Sequence, residues 1–135
     1  MKRKIIFLDI DGTLTQPGSN EPPESAVLAI AQARKAGHYV FLCTGRNYGM
    51  LSPLLQYGFD GVVASSGGYI ECRGRCVYDC PMTPQQKQTA MDVLAKNGVF
   101  RTIECREGSY TDEGFKEFLK SHEKEGSNSE LLRWR

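Results

Sequence analysis

Asp9 and Asp11 stand two residues apart, directly after the apolar run Ile5 to Leu8 and directly before Gly12-Thr13. The run reads as a buried strand, and the Asp pair falls where that strand ends. Side chains at i and i+2 of an extended chain point the same way. The two carboxylates are therefore expected to face one small volume beyond the carboxyl edge of a sheet. Gly12 lets the backbone turn sharply there. Two adjacent buried negative charges are costly unless a cation or a bound proton offsets them. A Mg²⁺ ion and a substrate phosphoryl group are partners of the required chemistry.

A second group of the same kind closes the next apolar run. Leu42-Cys43-Thr44-Gly45-Arg46 offers a hydroxyl that can donate to a phosphoryl oxygen, a glycine open to close backbone approach, and a guanidinium. Arg46 is expected to pair with a substrate phosphate or carboxylate through two parallel hydrogen bonds. Backbone N–H groups over Ile10 to Gly12 and the Thr44 hydroxyl are expected to face the charge of a transferring phosphoryl group.

These groups need a scaffold that brings strand ends together. Residues 4–10 read as a first strand and 15–24 as a polar loop rich in Gly and Pro. A helix is predicted over 25–36, where Val27, Ile30 and Ala31 make an apolar stripe and Gly37 a stop. Tyr39–Cys43 is a second strand, a short helix lies between Asn47 and Tyr57, and Gly61–Ala64 is a third strand. Strands alternating with helices on short connections imply an α/β fold with a doubly wound, right-handed, Rossmann-like parallel sheet. Chemistry then sits beyond the carboxyl ends of the strands, where Asp9, Thr44 and Ser66 all fall.

The pattern changes after Gly68. Tyr69–Cys72 and Cys76–Tyr78 read as a hairpin around Arg73-Gly74-Arg75, with Cys72 and Cys76 as cross-strand neighbours. Thr83-Pro84-Gln85-Gln86 opens a helix that runs to about Lys96, with Ala90, Met91 and Leu94 on one face. Residues 99–105 form a further strand, paired with a short one near Ser109-Tyr110. A last helix is expected over 111–125, followed by a polar tail over 126–130.

The chain has 135 residues and a formal net charge of +1, which suits one domain and implies no polyanion partner. Lys2, Arg3 and Lys4 are the only basic cluster and read as a solubilising flank, so nucleic acid is not expected. No apolar run approaches membrane-spanning length, and Asp9 interrupts the one that follows the basic flank. A cytoplasmic location is expected. The five cysteines, an odd number without a secretory signal, read as reduced thiols rather than a disulfide framework.

Asp9-Ile10-Asp11-Gly12-Thr13 resembles the first motif of the haloacid dehalogenase-like phosphohydrolases, a strand ending in D-x-D-G-T. The resemblance implies that Asp9 is the nucleophile and Asp11 the general acid/base. Thr44-Gly45-Arg46 is similar to the second motif of the Cof-type, or sugar-phosphatase, subgroup, in which Thr44 would hold the phosphoryl group. Ser66 stands where relatives often carry Asn. Residues 81–135 resemble part of the α+β cap (type IIB) inserted after the third core strand, leaving 1–80 as the N-terminal part of the core.

The resemblance implies a Mg²⁺-dependent phosphomonoesterase acting on a small phosphorylated metabolite, sugar phosphates being the family expectation. Asp9 and Asp11 would be the metal ligands. Glu104, Arg106 and Glu107 are candidate substrate-selecting residues. Relatives with this cap carry a lysine and an acidic pair downstream of it, so the chain is expected to be cut short inside the cap. The first strand would then form a sheet edge able to pair with a second copy. The alternative is a non-catalytic remnant that binds phosphate or a partner. A response-regulator-like phosphoacceptor would carry its Asp at the end of the third strand, where Ala64-Ser65-Ser66 stands.

Overall fold

A computed structural model describes residues 2–112 and the backbone of 132–134. β1 (Ile5–Leu8), β2 (Tyr39–Cys43) and β3 (Gly61–Ala64) are parallel neighbours in that order. α1 (Glu24–Lys35) connects the first two, and a 3-10 turn (Tyr48–Leu51) followed by α2 (Ser52–Leu55) connects the next two. The hairpin β4 (Tyr69–Cys72) and β5 (Arg75–Asp79) then extends the sheet antiparallel, giving the order β1-β2-β3-β4-β5. α3 (Pro84–Lys96) leads to a second sheet of β6 (Thr102–Cys105), β7 (Gly108–Thr111) and β8 (Leu132–Trp134), in the order β6-β7-β8.

Local chemistry accounts for these elements. α1 carries Glu24 in its first turn and Arg34 and Lys35 in its last, matching the helix dipole. Its end closes when Gly37 and His38 donate to the carbonyls of Arg34 and Ala33. α3 begins on the expected capping box: Thr83 Oγ1 accepts from Gln86 N–H while Gln86 Oε1 accepts from Thr83 N–H. α3 buries no residue among those described, however, and Val93 stays 54% exposed.

One face of the first sheet makes the core. Val40, Leu42, Val62 and Ala64 are buried there beneath Ile30 of α1, with Ile6 and Leu8 packed alongside. The opposite face is open among the described residues. Ile5 is 58% and Phe7 56% exposed, with Phe7 stacked at 5.6 Å on Phe41. Burial of the first strand on both faces is therefore corrected: only its even-numbered side chains meet the core, and among the described residues β1 lies at the edge of the sheet. The strand also ends at Leu8, not at residue 10.

Two further expectations change. A register shift between Ile70 and Glu71 sets Cys76 opposite Glu71 and Cys72 opposite Arg75, so Cys72 and Cys76 are not cross-strand partners. Thr111, expected to start a helix, belongs to β7; the rest of that helix and the tail over 126–130 lie outside the described residues.

Asp60, directly before β3, ties α1 to β2. Its carboxylate accepts from Val40 N–H at 2.9 Å and from Arg34 Nε at 3.2 Å, and its N–H donates to Val40 O at 2.8 Å. Burial acts to raise the Asp60 carboxyl, but the Val40 N–H and the Arg34 guanidinium outweigh it and hold it below the usual carboxylate range. A depressed carboxyl contributes stability above its unfolded value and loses it as pH falls through the folded one. Asp60→Asn is expected to cost about 1–2 kcal/mol at pH 7. The gap between the two proteins should narrow below about pH 4. Urea denaturation at pH 7 and pH 3 checks both; an equal gap at the two pH values would contradict it.

Candidate active site

The carboxyl ends of β1, β2 and β3 carry three loops that are bonded to one another. Ile10 anchors the first. It is fully buried, and its carbonyl accepts from the N–H groups of Thr13, Leu14 and Thr15. Gly12 sits at φ +80°, which an L side chain seldom adopts, and its N–H donates to Thr15 O at 2.8 Å. Burying Ile10 and Leu14 leaves Asp9, Asp11, Gly12 and Thr13 exposed on the outer side of the turn. The Gly12 N–H, expected to face a phosphoryl group, is thus committed to the turn.

The two carboxylates have different surroundings. Asp9 lies one residue past β1 and accepts from Thr13 Oγ1 at 3.4 Å. Asp11, already in the turn, is gripped by Arg46: Nη2 to Oδ1 at 2.6 Å and Nε to Oδ2 at 2.9 Å. Gly18 N–H adds a bond to Oδ1 at 3.0 Å. The hydrogen bonds from Arg46 hold the Asp11 carboxyl below its usual range, with burial acting against them. The extended-chain rule that pairs Asp9 with Asp11 does not reach across the turn, because the strand stops at Leu8.

Arg46 is the most constrained charge of the site. Its side chain is 5% exposed against 38% for Asp11. Besides Asp11 it donates to Asn20 Oδ1 at 2.6 Å and to Ser19 O at 3.2 Å. Its fork therefore faces the loop after β1, where substrate phosphate was expected. Asn20 and Ser19 are site residues that sequence reasoning missed. Only the polar character of the loop over 15–24 signalled them, and a buried guanidinium that needs acceptors is visible only once the fold is known.

Thr44 is buried at the end of β2, and its Oγ1 accepts from Arg46 N–H at 3.1 Å. A hydroxyl that accepts in this way can also donate its proton. Ser66 N–H donates to Thr44 O at 3.1 Å and Ser65 N–H to Arg46 O at 2.8 Å, which ties the loop after β3 to the loop after β2. Both serines reach back by adopting left-handed backbone, at φ 50° and 53°, a strained choice for residues with a Cβ. Gly45, between Thr44 and Arg46, is exposed, and a Cβ there would lie 3.5 Å from Ser66 Oγ.

Known proteins carry the same architecture. The chain is 31% identical to YkrA of Bacillus subtilis over 83 residues, 61% of this chain and 32% of that protein. It is 35% identical to the pyridoxal phosphate phosphatase YbhA of Escherichia coli over 79 residues, 58% of this chain and 27% of that protein. Among solved structures, the subclass IIB sugar phosphatase BT4131 superposes with a TM-score of 0.68 at 26% identity, over 89% of this chain and 48% of that one. BT1666 from Bacteroides thetaiotaomicron superposes with a TM-score of 0.75 at 21% identity, over 92% and 48%. The chain thus spans about half the length of these structures, and less of the two relatives. The family model for haloacid dehalogenase-like hydrolases matches residues 6–134, and the chain belongs to that family.

Proposed function

We propose that the chain is a phosphomonoesterase, or the N-terminal part of one, acting on a small phosphorylated metabolite such as a sugar phosphate. The observation that carries this reading is an exposed carboxylate, Asp9, just past the end of β1, followed two residues on by a carboxylate, Asp11, that Arg46 holds fixed, with Thr44 closing the neighbouring strand. On the same reading residues 1–80 belong to the catalytic core and 81–135 to a cap, and the protein works in the cytoplasm. No helix among the described residues is long and apolar enough to cross a membrane.

An Asp9 oxygen attacks phosphorus as the bond from phosphorus to the ester oxygen breaks, giving an aspartyl-phosphate. The leaving oxygen takes its proton from Asp11. In the second step Asp11 removes a proton from water, the water oxygen attacks the aspartyl-phosphate, and phosphate leaves with Asp9 restored. Arg46 favours the deprotonated form of Asp11, which suits the second step. A dianionic phosphoryl group arriving beside Asp11 favours the protonated form needed in the first. Thr44 donates to a phosphoryl oxygen throughout.

Hard oxygen donors suit Mg²⁺, and the Asp9 carboxylate with the Asp11 main-chain carbonyl would hold it. The Asp11 carboxylate is engaged by Arg46 instead. When bound, the ion would offset the charge of the phosphoryl oxygens. Among the described residues no cluster of three or more His, Cys, Asp or Glu side chains is arranged to hold a metal ion. The engagement of both Asp11 carboxylate oxygens by Arg46 favours a second reading, a module that binds phosphate or a partner without turnover.

β1 offers a further surface for partners. Its outer edge and the Ile5–Phe7 face are open among the described residues, and a second copy of the chain suits both. Light scattering during size-exclusion chromatography should show mass rising with concentration; a monomer at every concentration would contradict this. For the chemistry, p-nitrophenyl phosphate with Mg²⁺ is the assay. Asp9→Asn should reduce phosphate release to background with an unchanged circular dichroism spectrum. Release at the unaltered rate would eliminate covalent catalysis by Asp9.

A further inference from the structure

Arg46 and Asn47 are adjacent, yet their side chains run to different parts of the molecule. Arg46 runs to Asp11. Asn47, fully buried, runs to the second sheet. Its Oδ1 accepts from Met50 N–H at 3.1 Å and so caps the 3-10 turn. Its Nδ2 donates to Ser109 Oγ of β7 at 2.8 Å and to Glu104 Oε2 of β6. Ser109, also fully buried, donates to the same Glu104 oxygen at 2.9 Å. Three side chains from three elements thus close a ring of hydrogen bonds.

A backbone contact runs beside the ring. Gly49 N–H donates to Arg106 O, in the turn between β6 and β7, at 2.6 Å. The approach excludes a side chain, since a Cβ on Gly49 would lie 2.5 Å from the Glu107 carbonyl carbon. The Arg106 guanidinium lies 5.8 Å from the centre of the Tyr69 ring, which meets Tyr48 edge-on.

We propose that Glu104 and Ser109 are positioning residues for the site, acting through Asn47. A carboxamide with its acceptor and both donors engaged holds one orientation. The next peptide unit toward the N-terminus belongs to Arg46. Its N–H is bonded to Thr44 Oγ1 at 3.1 Å and its carbonyl to Ser65 N–H at 2.8 Å. A shift of the second sheet therefore pulls on Asn47, and the loop yields only by breaking bonds that hold Thr44 and Arg46. Through Arg46 the shift reaches the Asp11 carboxylate. The second sheet and the site form one mechanical unit, joined at residues 46 and 47. This inference rests on reading Thr44 and Asp11 as site residues, but its test reads amide exchange and not turnover, so either can fail alone.

Asn47→Asp keeps the acceptor for Met50, removes both donors and sets a carboxylate against Glu104. Glu104→Gln then supplies a donor to that carboxylate. Amide hydrogen exchange followed by NMR gives the readout at two reporters. Gly18 N–H is bonded to Asp11 Oδ1, and Arg46 N–H to Thr44 Oγ1. Asn47→Asp is expected to speed exchange at both reporters at least about tenfold, and adding Glu104→Gln to return them to within about threefold of the unaltered protein. If Asn47→Asp does not fold, Ser109→Ala, which removes one hydroxyl from the ring, should produce the same pattern at smaller size. Gln88→Ala, on the exposed α3, should leave both reporters unmoved. Faster exchange at Gly49 and Ser109 with Gly18 and Arg46 unchanged would overturn the proposal, as would a double variant no better protected than Asn47→Asp alone.

Discussion

A guanidinium buried at the end of β2 sets the terms for everything around it. Taking such a charge out of water costs several kcal/mol unless a carboxylate and further acceptors surround it. Arg46 meets that demand with Asp11, Asn20 and Ser19, all from the segment after β1. Parallel pairing of β1 with β2 delivers both strand ends to the same side of the sheet, so the two loops can meet. The turn buries Ile10 and Leu14 and projects Asp9 and Asp11 outward. Thr44 and Arg46 are held in turn by Ser65 and Ser66, whose strained backbone is the cost of closing the third loop onto the second.

This arrangement separates two aspartates that look alike in sequence. Asp9 is exposed, with a long contact from Thr13. Asp11 is aimed and charged by a two-point contact with a nearly buried partner. Environment, and not residue type, divides the two carboxylates into an exposed one and a fixed one. The neighbour of Arg46 extends the same logic outward, since Asn47 ties the loop to β6 and β7 where Arg46 ties it to Asp11.

Much of this was legible from local patterns. β2 and β3 were visible as short apolar runs bounded by turn residues, and α3 by the capping box of Thr83 and Gln86. The D-x-D-G-T segment marked the site before any fold was known. What stayed hidden depends on long-range placement. Ile5 and Phe7 read as core because an apolar run carries no sign of which face will be covered. The side chain of Arg46 read as a substrate ligand because Asn20 and Ser19 lie some 26 residues away with no pattern to link them. The shift in the β4–β5 register moved Cys76 away from Cys72, and no turn residue announces a bulge inside a strand. The ring of Asn47, Glu104 and Ser109 spans 62 residues and was beyond any window of local periodicity.

The contact between Arg46 and Asp11 organises the loops at the ends of β1 and β2. A double-mutant cycle on Arg46→Ala and Asp11→Ala, followed by urea denaturation, tests it most directly. Asp11→Ala should be the more damaging single change, because it leaves a buried guanidinium without its carboxylate. The double variant should be more stable than the summed losses imply, by about 2 kcal/mol or more. Losses that add to within about 0.5 kcal/mol would contradict the account, since two residues that organise a site through each other cannot behave independently.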